Sequence, residues 1–198
     1  MEGSVVVVHI GQLVTLAGSA RPRVGRELRE LGLIKDAAML LEDGRIAATG
    51  TYSEIKSKIP PHAKLVDAQG RCVTPGFVDA HTHLVFAGNR AAEFEQRIDG
   101  ATYQQIAAAG GGILSTVQAT RAATEDELLA IARKHQDWML LTGTTTIEAK
   151  SGYGLDRATE LRILRGLARL NEEGPTRIVP TLLAAHTVPP EFAHRRSE

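Results

Sequence analysis

Three scarcities bound this 198-residue sequence before any motif is read. There is a single cysteine, Cys72, so no intramolecular disulfide can form and a disulfide-stapled secreted scaffold is excluded. Neither charge is in excess: lysine and arginine number 23, aspartate and glutamate 23. A balanced chain has no electrostatic reason to seek nucleic acid or an anionic membrane. Long apolar runs are missing too, for nothing approaches the ~20 residues of a membrane span. The valines at 5–8 are too few for a signal-peptide core and lack its positive flank. A soluble, cytoplasmic protein is expected.

What the chain does have is apolar material, 43% of its residues, which is ample for a packed core. Residues 1–71 read as a small β domain. Apolar and β-branched runs at 5–10 and 13–16 are broken by Gly11, and runs at 37–41 and 45–49 flank Glu42-Asp43-Gly44. An Asp-Gly pair between two such runs is a strong hairpin signal. A further strand is expected at 64–66, and several short strands with turn punctuation suggest a sandwich-type sheet.

From residue 72 the pattern changes to short strands, at 73–83, 144–150 and 177–186, alternating with helices. That alternation argues for β/α units on a parallel sheet. Thr124 and Glu127 have the capping-box spacing, followed by an apolar stripe of Leu128, Ile131, Trp138 and Leu141. Asp156 can cap the next helix, whose face carries Leu161, Leu164, Leu167 and Leu170 before Gly174-Pro175 ends it. Gly110-Gly111-Gly112 interrupts a helical region between Tyr103 and Arg121. The fold class is α/β. Three units make less than half of an eight-stranded barrel, which takes ~250 residues; residues 72–198 are therefore read as an incomplete one.

The stretch richest in chemistry is Gly76-Phe77-Val78-Asp79-Ala80-His81-Thr82-His83. Residues two apart on a strand share a face, so Asp79, His81 and His83 are expected to point one way, with Val78, Ala80 and Thr82 packing beneath helices. Two imidazoles side by side at the C-terminal end of a strand can grip one metal ion. Read in isolation a His-X-His pair is as easily structural; the Pro75-Gly76 turn, the apolar approach and Asp79 in register favour the metal reading.

This strand resembles the first barrel strand of the amidohydrolase superfamily. Four further blocks narrow the likeness: 83–90 (HLVFAGNR), 110–113 (GGGI), 150–155 (KSGYGL) and 185–189 (AHTVP). In order and spacing they resemble the imidazolonepropionase family over nearly the whole chain. The resemblance implies the N-terminal half of a (β/α)8 TIM-like barrel preceded by a small β-sandwich-type domain. It also implies metal-dependent hydrolysis of 4-imidazolone-5-propanoate to N-formimino-L-glutamate in histidine degradation. His81 and His83 would hold one zinc or iron ion, divalent or trivalent, since imidazole suits either metal.

By the same resemblance Arg90, Tyr103, Tyr153 and His186 bind the small-molecule substrate, with His186 also catalytic at the scissile centre. Arg90 suits a carboxylate because its planar fork can bond both oxygens. Lys150 is expected to play a structural part with Glu148 rather than to bridge metals, and Asp79 to support the site without ligating. His9, His62, His135 and His194 are read as structural or solvated. A homodimer is a family-level expectation. The remaining ligand set and proton-transfer carboxylate would lie past residue 198, so the 198 residues alone are expected to be inactive. Two other readings stay open: a sibling hydrolase acting on another cyclic amide or amidine, and a non-catalytic piece that needs a C-terminal partner.

Overall fold

The computed structural model describes residues 3–184 and 186–195. These divide into two compact units, Met1–Pro75 and Gly76–Glu198.

The first unit is built on one five-stranded sheet. Strands β1 (Ser4–Val14), β2 (Leu33–Glu42), β3 (Arg45–Thr51), β4 (Lys64–Asp67) and β5 (Cys72–Val73) are joined in the order β3-β2-β1-β4, with β5 also on β1. β1 pairs antiparallel with β2 and parallel with β4 and β5. The expected pair of runs at 5–10 and 13–16 is thus one strand, not two. Gly11 does not break it; the irregularity falls between Val7 and Ile10, where His9 takes φ 52°. An extra residue at such a bulge re-aims the chain without ending it. The hairpin forms as read: Asp43 and Gly44 both have positive φ, 50° and 76°, and Glu42 pairs with Arg45. A two-residue turn of this hand matches the twist of the strands it joins. Val6, Val8, Ala38, Leu40 and Ile55, the last from the short helix α1 (Tyr52–Ile55), form one buried cluster, while Ile10, Leu13 and Ala37 form another.

The second unit is a three-stranded parallel sheet, β6 (Phe77–Thr82), β7 (Thr144–Lys150) and β8 (Arg177–Thr181), in that order. Helices α2 (Ala91–Ile98), α3 (Tyr103–Ala108), α4 (Ile113–Ala122) and α5 (Glu125–Leu141) lie between β6 and β7 in the chain. Helix α6 (Arg157–Glu173) connects β7 to β8. Thr124 and Glu127 close the capping box reciprocally, and Asp156 accepts from Thr159 N at 2.8 Å. The glycine triplet separates α3 from α4 as expected.

The core of this unit lies between β7, β8 and the inner faces of α5 and α6. Ile147, Ala149 and Ile178 form one buried cluster with Leu128, Leu129, Ala132, Ile163, Leu167 and Leu170, and Leu84, Val85 and Ala87 belong to it as well. Two expectations fail here. Trp138 and Leu141 are exposed, Leu141 at 84%, because the inward stripe of α5 runs instead through Leu128, Leu129, Ala132 and Gln136. Val78, expected beneath helices, is 67% exposed, since β6 is an edge strand among the described residues. The expected strand at 73–83 is also divided: Cys72–Val73 joins the first sheet and Phe77–Thr82 the second. Pro75 explains the break, as it cannot donate to a ladder. No helix among the described residues is long and apolar enough to cross a membrane.

Candidate active site

In a parallel sheet every strand ends at the same edge, and there the loops can gather side chains from distant parts of the sequence. β6 ends at Thr82, β7 at Lys150 and β8 at Thr181. His81 and His83 straddle the end of β6 with ring centroids 6.0 Å apart. The Tyr153 ring, from the loop after β7, lies 4.5 Å from that of His83. Phe86 backs Tyr153 at 5.7 Å.

His83 is half-buried, and its Nδ1 is buried with no hydrogen-bond partner among the described residues. A buried polar atom without a partner is costly, and native structures rarely leave one without reason. Burial pushes the imidazole below its ordinary pKa, helped by the positive fields of His186, His81 and Lys150 and opposed by Glu160. A neutral imidazole with an open nitrogen is the form that ligates a metal. Two imidazoles therefore fit a metal ion, although no group of three or more potential ligands occurs among the described residues. Asp79 is turned back on the strand, where Oδ1 accepts from His81 N at 2.9 Å. Lys150 pairs with Glu148, which also accepts from Thr181 Oγ1 at 2.8 Å. Those contacts, Lys150 first, hold the Glu148 carboxyl below the usual range.

His186 is not the end of a strand. β8 stops at Thr181, five residues short of the expected boundary, and His186 sits exposed in the loop beyond, with Nδ1 2.9 Å from Leu183 O. Pro180 within β8 and the transfer of Leu183 N to Ser151 Oγ, at 3.0 Å, account for the early end. Ala185, in the same sequence block, lies outside the described residues. The loop still brings His186 to the site. A Cβ placed on Gly152 would lie 2.9 Å from His186 Cε1 and 3.0 Å from Leu183 O, and Gly152 has φ 119°. Only glycine satisfies both the conformation and the approach.

Arg90 and Tyr103 belong to a second group. Arg90 Nε donates to Glu93 Oε2 at 2.7 Å, while Glu93 Oε1 accepts from Gly112 N at 2.9 Å and Ser115 Oγ at 3.0 Å. The Tyr103 hydroxyl is 3.3 Å from where a Gly112 Cβ would stand. The glycine triplet thus joins the Arg90 loop to Tyr103, a link the sequence hid because Glu93 carries no motif. A second residue without a motif is Glu160. Its buried carboxylate accepts from Gly152 N, Gly154 N and Leu155 N at 2.8–2.9 Å. Its place one turn into α6, after a Gly-Tyr-Gly loop, was the available signal.

Known proteins bear on this site. The amidohydrolase family profile matches residues 64–188. The chain is similar to imidazolonepropionases of Solibacter usitatus, Symbiobacterium thermophilum and Pseudomonas fluorescens, at 56%, 49% and 53% identity. These matches cover 94%, 96% and 82% of this chain but 44%, 45% and 40% of theirs, so the chain spans less than half the length of these relatives. Its backbone resembles a crystal structure of guanine deaminase from Bradyrhizobium japonicum with a TM-score of 0.60, at 21% identity over 98% of this chain and 40% of that one. E. coli guanine deaminase gives 0.52 at 19% identity, over 90% and 36%.

Proposed function

Because the chain belongs to the amidohydrolase family, we propose that it supplies the first half of the active site of a metal-dependent hydrolase that opens the ring of 4-imidazolone-5-propanoate to give N-formimino-L-glutamate. The complete protein would close the three parallel strands into a (β/α)8 barrel and complete the small domain as a sandwich. The single observation that carries the reading is the gathering of His81, His83, Tyr153 and His186 at the C-terminal ends of β6, β7 and β8.

His81 and His83 would hold one metal ion, zinc or iron, with further ligands from the rest of the complete protein. When bound, such an ion lowers the pKa of water so that hydroxide is available near neutral pH. Arg90 would capture the propanoate: Glu93 engages Nε, which leaves the paired Nη edge for a carboxylate. Tyr103 and Tyr153 would line the ring and tail, giving shape and hydrogen bonds. His186 would polarise the ring carbonyl or orient the incoming water, its ring fixed by Leu183 O and by Gly152.

The test is hydrolysis of imidazolone propanoate by the complete protein, followed by loss of ring absorbance with and without a chelator. Chelator-sensitive ring opening is expected. A fully metallated protein that leaves the ring intact overturns the substrate and returns the site to another cyclic amide or amidine.

A further inference from the structure

Glu160 is a charged side chain 2% exposed in the interior of a small unit, where carboxylates are rare unless bound. Among the described residues no cation hydrogen-bonds to it. Instead Oε2 accepts from Gly152 N at 2.9 Å, and Oε1 accepts from Gly154 N at 2.8 Å and Leu155 N at 2.9 Å. A carboxylate taken out of water is tolerated when backbone N–H groups converge on it.

The turn these bonds fix is an unusual one. Gly152 has φ 119°, and Leu155, a buried non-glycine residue, has φ 54°. Such conformations persist only where the surroundings over-determine them, and they cluster at working sites. From the outer side, Arg121 Nε donates to Gly154 O at 2.7 Å. Between the two holds stands Tyr153, whose ring faces His83 at 4.5 Å. The same turn is the wall against which His186 packs at Gly152.

We propose that Glu160 is the positioning residue of the substrate pocket: by fixing the 152–155 turn it sets the Tyr153 ring against His83 and the His186 ring against Gly152. The proposal rests on the reading above, in which Tyr153 and His186 face substrate. Glu160 itself touches neither substrate nor reacting atoms. Replacing it by glutamine keeps one acceptor for Gly154 and Leu155 but sets an N–H2 donor against Gly152 N–H, which loosens the turn where it meets His186.

The experiment has two arms. In the complete, metallated protein, kcat and KM for imidazolone propanoate are measured for wild type, Glu160→Gln, Tyr153→Ala and the double variant, with metal content and melting temperature as controls. A displaced binding group costs on the order of 100-fold in kcat/KM. Glu160→Gln is expected to lose on that order with metal retained. In the Tyr153→Ala background it should lose less, with only the part that acts through His186 remaining, because residues acting through one another are not additive. Unchanged kinetics for Glu160→Gln, or an equal loss in both backgrounds, overturns the proposal.

The second arm needs no substrate. In the 198-residue chain, Glu160→Gln should weaken the nuclear Overhauser contact between the Tyr153 and His83 rings and speed amide exchange at 152, 154 and 155. An intact ring contact overturns the positioning role. If wild-type protein fails to open imidazolone propanoate, the substrate reading falls while this arm still decides the role of Glu160.

Discussion

The rings of Tyr153 and His83 lie 4.5 Å apart and tilted by 38°, joining a loop after β7 to the end of β6 across 70 residues of sequence. The contact exists because parallel strands end at one edge. It leaves the buried Nδ1 of His83 facing no protein partner among the described residues.

Metal retention should follow that pair. In the complete protein His81→Ala and His83→Ala are each expected to lose stoichiometric metal, measured by elemental analysis after gel filtration. His62→Ala, in the first unit, should keep it. Metal retained at full stoichiometry by both strand variants would remove these residues from the ligand set.

The 198 residues alone are expected to show no chelator-sensitive turnover of imidazolone propanoate, because a catalytic zinc site takes about three protein ligands and the described residues gather two imidazoles. Ring absorbance followed over hours with added zinc checks this. Normal turnover by the isolated chain would show that the site is complete within it.

Gly152→Ala should destabilise the second unit by about 1–3 kcal/mol, the range for a strained backbone position, with the clash against Leu183 O and His186 added. Urea denaturation of the chain measures it. Gly44→Ala, also at positive φ but with nothing within 4 Å of the new Cβ, should cost less.

The two faces of α5 make opposite predictions. Leu129→Ala removes a side chain buried among Ile147, Ile163 and Leu167, and should cost about 2–5 kcal/mol. Leu141→Ala, at 84% exposure, should stay within about 0.5 kcal/mol of wild type in the isolated chain. Similar costs for both would place the core elsewhere.

Glu173 ties α6 to α5 by accepting from Arg169 Nε at 2.8 Å and pairing with Arg133. These bonds, that to Arg169 foremost, hold its carboxyl below the usual range. Between the lowered folded pKa and the ordinary unfolded value the unfolded chain binds more protons, so stability rises with pH there. The contribution is therefore full above about pH 5 and lost as acid passes through the folded pKa. Wild type should melt above Glu173→Gln near neutrality. The gap should close on acidification and shrink in high salt, because the pair is exposed. A gap independent of pH would mean that packing, not charge, makes the difference.

Local signals were legible wherever the cause is local. The Asp43-Gly44 turn, the Thr124–Glu127 box, the Asp156 cap and the glycine break before α4 depend on a few neighbouring residues, and each formed as read. The alternation of strands and helices read from residue 72 likewise pointed to the parallel sheet, which begins at Phe77. The sequence alone also brought the family into view, through ordered blocks that the profile match over residues 64–188 supports.

Tertiary structure alone decided the rest. The inward face of α5 was set by where β7 and α6 lie, so Trp138 fell outside a stripe that spacing had included. The early end of β8 was set by Leu183 N turning to Ser151 Oγ, a partner 32 residues away. Glu93 and Glu160 carry no motif, because their work is to accept N–H groups that only folding brings to them. Periodicity records what a residue needs from its neighbours in the chain; a hydrogen bond across the fold leaves no mark until the strands have paired.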